Sequence, residues 1–246
     1  ENLLRTLSFR QERHHRTKKV ILWRQGAVNI VINRDPVGHA RKAFLNHGPT
    51  VCDLGLRVEN AQETVRRATA LGADAFSQSI KAGEVDIPAI QGVGDSLIHF
   101  IDENSNLHRV WDIEFEPAKV VSADQPAGIR RIDHIAQTMK YDEMQSWLLY
   151  YISTFEMEKT PIFDVADPWG TVRSQTVSSP EGEVRLNLNG VEGDQTFAGA
   201  FVADKLGAGV QHIAVSTDDI FETASQLKAN GFQTLEIPNS YYVDLQ

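Results

Sequence analysis

Cysteine is almost absent from this chain of 246 residues, where Cys52 stands alone. A disulfide framework within the chain is therefore excluded, which suits a reducing cytoplasm. Also lacking are any low-complexity tract and any apolar run long enough to cross a bilayer, so the composition is that of a soluble globular protein with room for two modest domains. Positive charge is not in excess either. The formal net charge is −9, with carboxylates scattered rather than blocked, which argues against a nucleic-acid or anionic-membrane partner. Trp23, Trp111, Trp147 and Trp169 are not interleaved with cations and read as core and module-interface anchors, not as a base-stacking array. The opening ENLLRTLSFR has no methionine, signal peptide or helix cap, and the closing NSYYVDLQ reads as the start of another helix. Both ends are expected to be cut from a longer polypeptide.

What is present is a repeat. Residues 51–72 (VCDLGLRVENAQETVRRATALG) overlay residues 210–231 (VQHIAVSTDDIFETASQLKANG) without a gap. Each predicts a strand and then a helix. Glu59 and Asn60 match Asp218 and Asp219 as capping and first-turn residues, while Ala61, Val65 and Ala68 match Ile220, Ala224 and Leu227 at helical spacing. Gly72 and Gly231 supply the stops. Upstream, LLRTLSF resembles LLYYISTF, and three strand-like runs follow each: FRQERHH, KKVILWRQG and VNIVIN in one copy, FEMEKTPIF, GTVRSQTVS and EVRLNLN in the other. The second copy opens with the strand GIRRIDHIAQTM, whose counterpart in the first would precede Glu1. The expected fold is α+β, with two tandem modules of βαβββ repeats, each a curved mixed sheet with helices on its outer face. Residues 1–117 form the first module and 128–246 the second; the stretch from about Asp102 to Ala127 reads as connection, with 118–127 as the linker proper.

The tripeptide HIA occurs twice, in IDHIAQT and in VQHIAVST. Strand alternation puts Ile132, His134 and Ala136 on one face, and Val210, His212 and Ala214 on one face. Two histidines at equivalent points of paired strands can share one metal ion, and a third ligand, typically a carboxylate, completes a facial triad with positions left for substrate and oxygen. A lone histidine in an apolar strand is more often a satisfied core residue. The duplicated context favours the ligand reading, and Asp53 stands in the first copy where His212 stands in the second. His99 in SLIHFID reads as a core or edge residue. His14 and His15, with Arg13, Arg16, Lys18 and Lys19, read as charge on a solvated strand edge.

The succession IDHIAQT, SSPEGEVRLNLN, GAGVQHIAVSTDDIF and IPNSYYVDL resembles the catalytic half of 4-hydroxyphenylpyruvate dioxygenase, in the vicinal oxygen chelate superfamily. HGPTVCDLGLRVENA resembles that enzyme's degenerate first half. HRTKKVILWRQGAVNIVIN and TVRSQTVSSPEGEVRLNLN are closer to the C-terminal region of two-domain bacterial 3-dehydroshikimate dehydratases, in which a barrel that forms protocatechuate precedes a dioxygenase-like half. The resemblance implies that His134 and His212 are metal ligands, with a third, a glutamate, beyond Gln246. It implies that Ser174 and Asn189 line the substrate pocket and that Gln211 stands beside the second ligand, although alternation turns Gln211 away from His212 unless the strand is irregular. It assigns no catalytic residue.

Further implications are a divalent metal, Fe(II) foremost with Mg, Mn or Co as alternatives; a 2-oxo acid or shikimate-type acid as substrate; a barrel domain in the same polypeptide; and a homo-oligomer. Three departures bear on the substrate: the family usually has proline where Asn187 sits and glutamate where Gly190 sits, and GVEGDQTFAGAFVADKL does not match its pocket-closing helix. The leading expectation is the metal-binding half of a bifunctional 3-dehydroshikimate dehydratase of quinate and shikimate breakdown. The alternatives are a stand-alone Fe(II) 4-hydroxyphenylpyruvate dioxygenase, or a half without turnover that assembles the dehydratase barrel.

Overall fold

The computed structural model describes residues 1–119, 126–167 and 169–236. Their order is α1 (Asn2–Thr6), β1 (Arg10–His15), β2 (Val20–Gln25), β3 (Val28–Asn33), α2 (His39–His47), β4 (Asp53–Arg57), α3 (Ala61–Ala70), β5 (Ala75–Phe76), β6 (Ala89–Gln91), β7 (Leu97–Ile101), α4 (Val110–Glu114) and β8 (Phe115–Pro117). After the linker come β9 (Ile129–Lys140), α5 (Tyr141–Phe155), β10 (Glu158–Lys159), β11 (Phe163–Asp167), β12 (Gly170–Ser178), β13 (Arg185–Val191), α6 (Phe197–Asp204), β14 (Gly209–Thr217) and α7 (Ile220–Ala229). The strands make three sheets, β3-β2-β1-β8, β4-β7-β6-β5 and β10-β12-β13-β9-β14, with β11 also on β12. Among the described residues, no helix is long and apolar enough to cross a membrane. The motif IPNSYYVDL, the closing helix expected there and most of the linker lie outside the described residues.

The repeat is built as its residues dictate. Asn60 caps α3 by accepting from Glu63 N–H, and Asp219 caps α7 by accepting from Phe221 and Glu222 N–H. Gly72 and Gly231 follow those helices at φ of 97° and 80°, where a Cβ would be strained. In the strand-helix-strands unit, the first strand runs parallel to the last: β4 pairs with β7, and β9 pairs with β13.

The modules share a core. Ala61 and Ala68 of α3, Ile98 and Phe100 of β7, and Met144, Leu148 and Tyr151 of α5 belong to one buried cluster with Leu186 and Leu188 of β13. Burying each large side chain contributes roughly 1.5–3 kcal/mol relative to leaving it in water. Helices α3 and α5 therefore lie back to back between the second and third sheets. Arg67 of α3 locks them by donating to the carbonyls of Thr154 and Ser153 and by pairing with Glu156, at the end of α5 where backbone acceptors are free.

Two readings are corrected. Residues 102–127 are not merely a connection, because α4 and β8 lie within them and β8 completes the first sheet by pairing antiparallel with β1. That pairing also changes His15, expected on a solvated edge. His15 is 7% exposed, donates from Nε2 to Glu114 Oε2 at 2.9 Å, and accepts the Thr17 and Lys18 N–H groups at Nδ1. A segment remote in sequence covers the strand, so its own hydrophilic pattern carried no sign of burial.

Gly190 shows why the third sheet has glycine at a position where the resemblance expects glutamate. A Cβ there would stand 2.7 Å from Met144 Sδ and 2.8 Å from Tyr141 Cδ2 of α5. Any side chain would push the helix off the sheet. Gly190→Ala is expected to destabilise the fold by about 1–3 kcal/mol through overpacking. Urea unfolding measures this, and an unchanged midpoint would show that α5 is free to shift.

Candidate metal and ligand site on the third sheet

The two HIA tripeptides pair with each other. In the antiparallel β9–β14 ladder, His212, Ile213 and Ala214 lie opposite Ala136, Ile135 and His134. Each histidine thus faces an alanine, which leaves room beside its ring. The register slips on both sides of this block: Gln211 is the extra residue of β14, and Asp133 the extra residue of β9. Each slip is a β-bulge placed immediately before a histidine, and bulges re-aim side chains that strict alternation would send to opposite faces.

The two imidazoles converge, with ring centres 5.6 Å apart and planes at 78°. Two imidazoles on one ion, with metal–nitrogen bonds of about 2.1 Å, have ring centres roughly 4.5–5.5 Å apart, so the pair lies just beyond that range and closes on an ion with a small side-chain shift. His134 Nδ1 donates to Asp133 Oδ2 at 2.8 Å, which fixes the tautomer and leaves Nε2 available. Asp133 is held in turn by Arg185. Its carboxyl lies below the ordinary range, first because of the His134 hydrogen bond and then, against some desolvation, because of the Arg185 charge. Partial burial, followed by the neighbouring His134, lowers the His212 pKa and favours the neutral form that binds metals. Among the described residues, no third His, Cys, Asp or Glu joins them into a ligand cluster.

Registry places the polar residues on the same face. Thr176, Asn187 and Ala136 are successive partners across β12, β13 and β9, and Ala136 is the partner of His212. The next row along is Ser174, Asn189 and Thr138. Ser174 Oγ donates to Asn189 Oδ1 at 2.8 Å, and Thr176 Oγ1 donates to Asn187 Oδ1 at 2.8 Å. Sequence reasoning singled out Ser174 and Asn189 but gave no role to Thr176 or Asn187, whose pairing is visible only once the β12–β13 register is known. Gln211 stands at the bulge, where simple alternation no longer decides which way a side chain points.

One end of this face is covered. Ala198 and Val202 of α6 pack on Val172 and Val191, one row beyond Ser174 and Asn189. The segment GVEGDQTFAGAFVADKL thus does supply a helix over the face. Thr138 lies fully buried beside it, with Oγ1 lacking a hydrogen-bond partner among the described residues. Trp169, expected to be an anchor, is 60% exposed, with its ring edge-to-face to the Phe197 ring at 5.2 Å. In the first module, Asp53 accepts from His99 Nδ1 at 2.8 Å, a paired group rather than a second convergence of histidines.

Residues 131–246 match the model of the Glyoxalase/Bleomycin resistance protein/Dioxygenase superfamily, and residues 1–116 match hydroxyphenylpyruvate dioxygenase, HPPD, N-terminal. The fold and the sequence place the chain in that superfamily. A 3-dehydroshikimate dehydratase of Pseudomonas putida is 35% identical over 99% of this chain, which spans 38% of that protein. A 4-hydroxyphenylpyruvate dioxygenase of Pseudomonas aeruginosa is 32% identical over 98% of this chain, which spans 67% of that protein. The chain belongs to the 4-hydroxyphenylpyruvate dioxygenase family. Of the solved structures, a xylose isomerase-like TIM barrel/4-hydroxyphenylpyruvate dioxygenase fusion protein superposes with a TM-score of 0.80 at 35% identity, covering 99% of this chain and 38% of that one. A mutant 4-hydroxymandelate synthase from Streptomyces coelicolor, 21% identical with a TM-score of 0.79, covers 99% of this chain and 74% of that one and shares the fold.

Ser174 is 4% exposed, so its hydroxyl holds the Asn189 carboxamide where water has little access. Ser174→Ala is expected to lower stability by about 1 kcal/mol through that lost bond. Denaturant unfolding reads the change, and full stability in the variant would show that Asn189 finds another partner.

Proposed function

We propose that the third sheet binds a divalent metal through His134 and His212 and presents a small oxygen-rich acid to it, in the dioxygenase-like half of a 3-dehydroshikimate dehydratase. The observation that carries this reading is the HIA-on-HIA pairing between two bulges, which brings both imidazoles to one point. A structural pair of histidines needs neither bulge. Residues 128–246 form the ligand-binding module in this reading, residues 1–117 the module without a metal, and residues 118–127 the linker.

The donor set fits two positions of a coordination sphere. Neutral imidazole nitrogens suit Fe(II), with Mg, Mn and Co as alternatives, and two of them hold an ion less firmly than a closed triad of two histidines and a carboxylate. When bound, such an ion supplies Lewis acidity and open positions for the oxygens of an acid. The chain's own residues do the rest. Asp133 orients His134, Arg185 holds Asp133, and Ser174, Asn189 and Gln211 line the approach.

A second reading, a 4-hydroxyphenylpyruvate dioxygenase standing alone, is favoured by the span of 67% of the Pseudomonas aeruginosa relative. Asn187 and Gly190, which depart from that enzyme's pattern, favour the first. Titration of the purified protein with Co(II), followed by visible absorption, tests the metal site. Binding is expected to be abolished in His212→Ala and weakened about 10–100-fold in Asp133→Asn, the usual effect of removing the carboxylate behind a ligating histidine. Co(II) bound equally by all three proteins would contradict the site. Oxygen uptake driven by 4-hydroxyphenylpyruvate would instead establish the second reading.

A further inference from the structure

Asn187 occupies the row of the sheet that contains His212, with only the small, fully buried Ala136 between them. Asn189, the asparagine that the family resemblance points to, is one row further away, roughly 7 Å along the strand. Asn187 is therefore the nearer of the two carboxamides to the histidine pair. Its orientation is set by Thr176, whose hydroxyl donates to Oδ1 at 2.8 Å. That bond occupies the acceptor end of the amide. The Nδ2 donors have no partner among the described residues.

A half-buried amide with its donors unpaired costs stability unless something accepts from it. Water serves when the face is empty. A ligand seated over Ala136 between His212 and Asn187 meets those donors directly. The polar pair of Thr176 and Asn187 thus offers a donor to a ligand oxygen on this face.

We infer that Asn187, held by Thr176, is a specificity-determining residue that donates to a ring oxygen of a hydroxylated cyclic acid bound at the His134–His212 site. This inference rests on reading the third sheet as the ligand site. The ring acid comes from the proposed function, and the donors place its oxygens: the carboxylate is directed to the metal end, and an sp³ or phenolic oxygen on the ring accepts from Asn187 Nδ2.

Two probes with one carbon skeleton test it: shikimate, which carries ring hydroxyls, and 1-cyclohexene-1-carboxylate, which carries none. Dissociation constants for both are measured calorimetrically on the purified protein in saturating Co(II). The wild type is expected to prefer shikimate by roughly tenfold or more, the order of one hydrogen bond made in a partly desolvated site. Asn187→Leu, close to isosteric, is expected to abolish that preference while Co(II) affinity stays unchanged. Thr176→Val, which frees the amide to rotate, is expected to reduce the preference in part and stands in if the first variant does not fold. A preference that survives in these variants, with binding still lost in His212→Ala, would overturn the role of Asn187 and leave the site intact. Failure of the wild type to bind either acid, or binding that His212→Ala leaves untouched, would overturn the site reading and the inference together.

Discussion

The candidate site on the third sheet depends on one pairing, that of β9 with β14. Three residues on each strand are matched, and a bulge on either side frees the residue before each histidine from the ladder. Because the strands run antiparallel, the same tripeptide written twice brings each histidine against the other strand's alanine. Larger residues at Ala136 or Ala214 would fill the space beside the rings. The Asp133 bulge has a second consequence, since it allows a carboxylate adjacent in sequence to reach His134 Nδ1 rather than point through the sheet.

This pairing is backed by the core beneath it. Gln137, Met139, Leu186 and Leu188 turn to the helix side, where they lie fully or almost fully buried with α5. Gln137 accepts from the Tyr151 hydroxyl at 2.9 Å, and burial pushes that hydroxyl's pKa well above its ordinary value, so it remains a donor. A rigid helix layer allows the opposite face to carry paired amides, hydroxyls and imidazoles without an apolar cover of its own. Gly190 contributes by letting α5 approach the sheet closely. The face is therefore polar in its middle, around the small Ala136 and Ala214, and apolar where α6 seats on Val172 and Val191.

Much of the fold was legible because the repeat is written in local signals: Asn60 and Asp219 cap, Gly72 and Gly231 stop, and the apolar spacing between them is helical. HIA was legible as a duplication. Its geometry was not, since alternation assumes an unbroken ladder and a bulge is a property of two strands together. The same limit explains Thr176 and Asn187, ordinary strand residues until their register is known. His15 and Trp169 were misread in opposite directions because burial is decided by remote segments: β8 and α4 cover the first, while the second stays largely exposed beside Phe197.

The claim that two strands deliver two imidazoles to one ion is tested most directly by X-ray absorption at the Co(II) edge on the loaded protein. Outer-shell scattering from two imidazole rings is predicted, with protein-bound Co(II) and that scattering lost in His134→Ala. A spectrum with no imidazole scattering, or one unchanged by that substitution, would contradict it.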